Sequence, residues 1–324
     1  MEETAALRKP SRAGVCRAVI DVGTNSVKLL VAEVEAQNIR PLYEASKVTR
    51  LGRGFYETHL LQPEAIAKTA EVIGEFARRA NTHGAQSLRI VATSAARDAR
   101  NAAELIEAIR RSSGHEIEII SGEQEADWAF RGVTSDPRMA GHPLLIMDVG
   151  GGSTEFIVGH GGHPTFGQSF QLGVVRLLES LRPDDPPRVA DLAHCRRHLR
   201  EFFSAEVSPT LRPALDALGH ERAALVGVGG SATVLASMQL ELREFDRDRL
   251  EGFRVSRADV IARTEQLWSL PLARRQLLPG LPPKRADVIL TGAAIYEAVM
   301  EVFGFDTCRV STRGLRYAAL LDVP

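Results

Sequence analysis

The residues best suited to chemistry in this 324-residue chain lie in two similar segments. RAVIDVGTNSVKLLVAEV occupies 17–34 and LLIMDVGGGSTEFIVGHG occupies 144–161; a single offset of 127 lays Asp21 on Asp148, Gly23 on Gly150 and Ser26 on Ser153. Each segment reads as strand, tight turn, strand. Gly150, Gly151 and Gly152 lack β-carbons, so the backbone can bend until several N–H groups point at one anion, the nest that binds phosphate. Gly23, Thr24, Asn25 and Ser26 offer the same chemistry, and Ser153 closes the second turn as Ser26 closes the first. Asp21 and Asp148, at matching strand ends, are expected to face each other across a cleft, where two carboxylates can hold Mg²⁺ through waters while the turns hold phosphates. A third turn, GVGGSATVLA at 227–236, puts Gly229, Gly230 and Ser231 where a strand ends and an apolar helix starts, a further anion site at a helix N-terminus. Any one turn is most simply an ordinary β-turn; three together, two of them in register, point to a phosphorylated ligand.

The elements that must position these turns follow from pattern. A helix is expected over 63–83, opened by Pro63 and Glu64, then a strand at 87–93, a helix near 98–113, a strand at 115–120 and a helix from about 122. Strands alternating with helices make an α/β half with a hairpin at its front edge, and the second half repeats the plan. The Pro-rich 182–192 reads as a loop leading into a helix near 189–204, and the charge-dense 241–259 as a solvated loop or helix face. Trp128 and Trp268 sit among apolar neighbours and are assigned to the core. His194 and His198, four apart without an intervening zinc-motif glutamate, read as a solvated helix face, and His160 and His163 as hairpin-loop residues.

Composition narrows the classes. Forty Lys plus Arg against forty-one Asp plus Glu leave a net charge of −1, which excludes binding to nucleic acid or a membrane surface by bulk positive charge. Three scattered cysteines without a C-x-x-C pair support neither a disulfide framework nor a local zinc site and suit a reducing cytoplasm. No stretch resembles a signal peptide or a membrane span, so a cytoplasmic protein is expected.

VIDVGTNSVKLLVAEV, TSAARDARN, IEIISGEQEA, DVGGGSTEFIVG, GVGGSATVLA and VSTRGLRYAALL, in this order, resemble the exopolyphosphatase and guanosine pentaphosphate phosphohydrolase family over residues 17–321. That family lies within the superfamily of actin-like ATPases, sugar kinases and heat-shock chaperones. The resemblance implies two similar ribonuclease-H-like α/β domains with a ligand cleft between them, here 1–126 plus 311–324 and 127–310. It implies that Glu125 activates the attacking water, that Arg97 grips substrate phosphates, and that Glu155 lies near the metal and the water. Ser121 and Gln124 look like a capping box that would hold Glu125 in a first helical turn; Glu123, two residues earlier, is the carboxylate to test beside it. Ser94, like Asn25 and Ser26, can donate to phosphate oxygens or simply stabilise a turn. Glu155 reads equally well as an outward-facing strand residue.

The expected reaction is Mg²⁺-dependent release of terminal orthophosphate from inorganic polyphosphate, with Mn²⁺ as an alternative metal. The chain lacks the C-terminal helical domain of the longer relatives, so a preference for shorter polyphosphates is expected. Rivals are hydrolysis of guanosine pentaphosphate by the same site, a sugar or acid kinase, and a non-catalytic polyphosphate or nucleotide sensor. The kinase leaves the glutamate of SGEQEA without a task. A homodimer is common in the relatives.

Overall fold

The computed structural model describes residues 14–219 and 222–322, which divide into two compact units: one through Ser135 plus the segment from Leu315, the other Asp136–Gly314. Labels run along the chain. In the first unit β1 (Val15–Val22), β2 (Ser26–Glu35) and β3 (Asn38–Val48) form an antiparallel meander. α1 (Phe55–Thr58), α2 (Pro63–Thr82), β4 (Ser87–Ala92), α3 (Ser94–Arg97), α4 (Ala102–Ser113), β5 (Glu118–Ile119) and α5 (Gly122–Thr134) follow. The sheet order is β3-β2-β1-β4-β5, with β4 parallel to both β1 and β5. β1 is apolar on both faces because both are covered. Ile20, Leu29 and Val31 share a core with Ile73 and Phe76 of α2 and Leu105 and Ile109 of α4, while Val19, Leu30 and Val91 pack with Trp128 of α5.

The second unit runs α6 (Pro137–Ala140), β6 (Leu144–Val149), β7 (Thr154–His160), β8 (His163–Phe170), α7 (Val174–Leu181) and α8 (Val189–Phe202). A π-turn at Phe203–Val207 leads into α9 (Ser208–Leu218), then β9 (Ala224–Val228), α10 (Gly229–Gln239), α11 (Arg247–Leu250) and β10 (Arg254–Ser256). α12 (Arg257–Ser269), α13 (Leu272–Arg275), α14 (Ile289–Val302) and β11 (Thr307–Val310) complete it, and α15 (Leu315–Leu321) returns to the first unit. Its sheet order is β10-β11-β9-β6-β7-β8. Without the edge strand β10 this is the first sheet again, strand for strand: a three-stranded meander, then two parallel strands on the other side of its first member.

Four expectations shift. The strand expected at 115–120 pairs with β4 only through Glu118 and Ile119, at the sheet edge. The helix expected from 98 starts at Ala102, because Asn101 uses its side-chain amide on both backbone groups of Leu61 instead of extending the turn. The charged run 241–259 contributes β10, whose middle residue Val255 is buried and pairs with Cys308. The first unit also keeps the whole of α5, where the sequence set a boundary at 126/127: α5 and Tyr317 of α15 share one core, so the chain leaves the unit only after Ser135 and returns at Leu315.

Candidate functional site

Both turns are built to one plan. Gly23 N donates to Ser26 O at 3.1 Å and Gly150 N to Ser153 O at 2.9 Å. The sequence counted these two amides among the phosphate donors; each is instead spent on closing its own turn. The turn carbonyls are then held from behind by the chain that follows the third strand of each meander. In the first unit Thr24 O accepts from Gly52 N (2.8 Å) and Asn25 O from Thr49 N (3.1 Å) and Arg50 N (3.0 Å). In the second, Gly150 O accepts from Val174 N (3.0 Å) and Gly151 O from Val175 N (2.8 Å) and Arg176 N (3.1 Å), the otherwise unsatisfied donors of α7's first turn. Gly52 and Gly173 let the holding chain touch the turn: a β-carbon on either would collide with Thr24 or with the Gly151 backbone.

In a trans peptide the carbonyl and the following N–H point in opposite directions. Holding the carbonyls of Thr24 and Asn25 therefore turns the amides of Asn25 and Ser26 away from the 49–52 segment. Holding those of Gly150 and Gly151 likewise turns the amides of Gly151 and Gly152 away from α7.

Beside each turn stands its aspartate. Antiparallel register sets Asp21 opposite Lys28 and Asp148 opposite Glu155, and the same offset of 127 relates Lys28 to Glu155. Directly opposed residues share a sheet face. Lys28 Nζ lies 4.0 Å from the buried Asp21 carboxylate, so that carboxylate has a cation beside it. In the second unit the half-buried Asp148 has an acid beside it: Glu155 is buried and accepts from Ser169 Oγ at 2.7 Å. The outward-facing alternative for Glu155 is excluded by that burial. Two oxygen-donor carboxylates side by side suit a hard divalent cation that completes its shell with water and phosphate. Among the described residues, no group of three or more His, Cys, Asp or Glu could hold a metal by itself.

The third turn adds to the same end of the second sheet. Gly229 takes φ +82°, and a β-carbon there would lie 2.5 Å from Asp148 Oδ1, which puts this carboxylate against the N-terminus of α10. The guanidinium of Arg285 lies on Gly230. Ser231, expected as a phosphate ligand, is buried, with its hydroxyl packed toward Gly292 of α14. Behind the turn, Tyr296 donates to Val228 O at 3.4 Å; full burial raises its phenol pKa, with Cys308 and Asp148 adding to the rise.

Glu125 lies in the first turn of α5, whose Ser121 cap accepts from Gln124 N at 3.1 Å. It is buried, and Arg97 Nη1 donates to its Oε2 at 3.1 Å and to Ile120 O at 3.1 Å. A buried carboxylate needs a compensating charge, and Arg97, at the end of α3, supplies it. Glu123 is exposed, so the two glutamates of this turn separate by environment. Ser94, first residue of α3, is 2% exposed, and its hydroxyl finds no hydrogen-bond partner among the described residues. A buried hydroxyl in that condition requires an explanation, and a ligand oxygen provides one.

Sequence reasoning missed Lys28, Arg176 and Arg285. Lys28 was findable, since the repeat that pairs Asp21 with Asp148 pairs it with Glu155. The two arginines carry no such signal in an arginine-rich chain.

Residues 30–323 match the model of the Ppx/GppA phosphatase family. An exopolyphosphatase 2 of Mycobacterium tuberculosis is 34% identical over 311 residues, 91% of this chain and 94% of that protein. A guanosine-5'-triphosphate,3'-diphosphate pyrophosphatase of Vibrio vulnificus is 29% identical over 92% of this chain and 57% of its own length. The crystal structure of the Aquifex aeolicus member of the Ppx/GppA family superposes with a TM-score of 0.77 at 28% identity, covering 95% of this chain and 96% of that one. Dependence on a divalent metal is general in the family. Two sheets of one topology, each with an aspartate beside a tight turn, thus belong to a two-domain actin-like fold, and the chain is a member of the Ppx/GppA phosphatase family, a hydrolase of phosphoanhydride bonds.

Proposed function

We propose that the protein is an exopolyphosphatase that releases terminal orthophosphate from inorganic polyphosphate by attack of water. The observation that carries this reading is the buried Glu125 held by Arg97, the last residue of the helix whose first residue, Ser94, buries a hydroxyl with no partner among the described residues. Glu125 takes a proton from water as its oxygen bonds to the terminal phosphorus. The P–O–P bridge breaks, orthophosphate leaves, and the shortened chain keeps the bridging oxygen. Arg97 has further guanidinium N–H groups for a phosphate oxygen, and Ser94 donates its hydroxyl. In the first unit the amide of Asn25, and in the second the amides of Gly151 and Gly152 with the N-terminus of α10 at Gly229 and Gly230, are each suited to hold phosphate. Thr24 shapes the first turn through its carbonyl, and Ser26 and Ser153 close the two turns.

Asp148 and Glu155 would hold the metal, Mg²⁺ or Mn²⁺, which neutralises phosphate charge when bound. In the first unit Asp21, with Lys28 beside it, is the weaker candidate for a metal ligand. Three buried free cysteines, two with thiols pushed up to about 12, suit a reducing cytoplasm. No described helix is long and apolar enough to cross a membrane. The family resemblance leads us to expect a homodimer, measurable by light scattering.

Phosphate release from polyphosphates of graded length and from guanosine pentaphosphate, with and without Mg²⁺, tests the reading. Metal-dependent release from polyphosphate, lost in Glu125→Gln, is expected. Faster turnover of guanosine pentaphosphate would move the assignment to the nucleotide, and binding of either without release would make the protein a sensor.

A further inference from the structure

The second turn is also held by a side chain. Arg176, on α7, donates from Nε to Gly152 O at 2.8 Å, and its guanidinium is braced by the side-chain carbonyl of Gln171. The bonds from Thr49, Arg50, Gly52, Val174 and Val175 come from backbone N–H groups, which a side-chain substitution other than to proline leaves in place. Arg176 is the side-chain member of the set.

Its effect follows from peptide geometry. Gly152 O and Ser153 N–H belong to one planar trans unit, so a donor fixing the carbonyl on the α7 side fixes the amide on the opposite side. With Val174, Val175 and Arg176 holding Gly150, Gly151 and Gly152 in succession, the amides of Gly151, Gly152 and Ser153 are turned the same way. Glycines flip their peptide planes at little cost, so a run of three has no orientation of its own; the grip from α7 supplies it. The guanidinium suits the task because one planar group reaches the carbonyl while Gln171 fixes its plane.

We propose that Arg176 is a positioning residue for phosphate binding: by fixing the Gly152–Ser153 peptide it aims the third amide of the turn at the substrate. The inference rests on reading the Gly150–Ser153 turn as a phosphate site, and its test separates the two. In the full-length protein Arg176→Met, which keeps length without a donor, is expected to raise KM for polyphosphate about tenfold while kcat changes less than about threefold, the signature of lost uniform binding. The dissociation constant for inorganic tripolyphosphate, titrated in a Glu125→Gln background where turnover is blocked, should rise by a similar factor. Arg176→Lys, which can still donate to Gly152 O, should recover part of both. Should Arg176→Met fail to fold, Gln171→Ala, which removes only the brace, is expected to raise KM and the tripolyphosphate constant severalfold.

A lowered melting temperature with KM and the tripolyphosphate constant within twofold of the parent would make Arg176 structural only and overturn the inference. So would failure of the parent to bind tripolyphosphate. If the parent binds tripolyphosphate but hydrolyses neither substrate, the exopolyphosphatase reading fails, and the shift in tripolyphosphate affinity alone decides the role of Arg176.

Discussion

At the residue scale, two glutamates in one helical turn are separated by environment. Glu125 is buried and paired with Arg97, and Glu123 is exposed. Glu125→Gln should lower kcat for phosphate release by about 10²–10⁴, the usual contribution of a positioned general base, whereas Glu123→Gln should stay within about twofold. A second contrast lies between matched positions. Because Ser169 orients Glu155, Ser169→Ala should raise the Mg²⁺ concentration needed for half-maximal activity about tenfold, at the low end of the losses seen when a ligand's own partner is removed. Removing the metal with a chelator should abolish turnover in every variant. The positions were partly legible: the repeat exposed both aspartates, and the motif resemblance singled out Glu125, which is buried where Glu123 is exposed. That the Gly23 and Gly150 amides close their own turns was not legible, because which N–H closes a turn depends on a backbone bond that residue types do not announce.

At the element scale, what positions the turns is the chain behind them. The strands and α2 follow from alternation and from Pro63 at a helix start, and α10 from glycines at the end of an apolar run. The contacts from 49–52 and from α7 do not follow, because they join backbone groups distant in sequence and leave no side-chain pattern. β10 escaped for a different reason: one buried valine in a charged stretch is too short a signal. Gly173→Ala tests how closely α7 is seated. The added methyl meets the Gly151 backbone, so stability should drop by about 1–3 kcal/mol, the cost of overpacking, read from denaturant titration. α15 is fastened differently. Asp322 pairs with Arg131 at 2.6 and 2.8 Å and accepts from Trp128 Nε1 at 2.8 Å, and the Arg131 hydrogen bond and charge, with Trp128 assisting, lower its pKa. A carboxylate with a depressed folded-state pKa contributes stability that is complete above its unfolded value near 4 and disappears as pH falls through the folded value. Asp322→Asn should therefore destabilise the protein at neutral pH and match the parent in strong acid.

At the scale of the whole molecule, a chain that leaves its first unit after Ser135 and returns at Leu315 completes that unit last. Tyr317 and Leu320 of α15 share a core with Val19, Leu30 and Trp128. Each unit also carries one buried tryptophan, Trp128 in the first and Trp268 in the second. In single-tryptophan variants, deletion from Leu315 onward should shift the emission of Trp128 to the red and leave that of Trp268 in place; equal shifts would mean that the units do not fold separately. The duplicated sheet was visible in the sequence because both copies kept their turn residues. The crossing points were not, because they depend on which helices pack together.

The double turn also sorts its own amide protons. Those of Gly23 and Gly150, which close the turns, and those of Gly52, Val174 and Val175, which hold the carbonyls, are engaged whatever is bound. Those of Asn25, Gly151 and Gly152 face the other way and find no backbone partner among the described residues. Deuterium should therefore enter each turn at two speeds, and an added phosphate chain should slow the fast set alone, marking its footprint peptide by peptide.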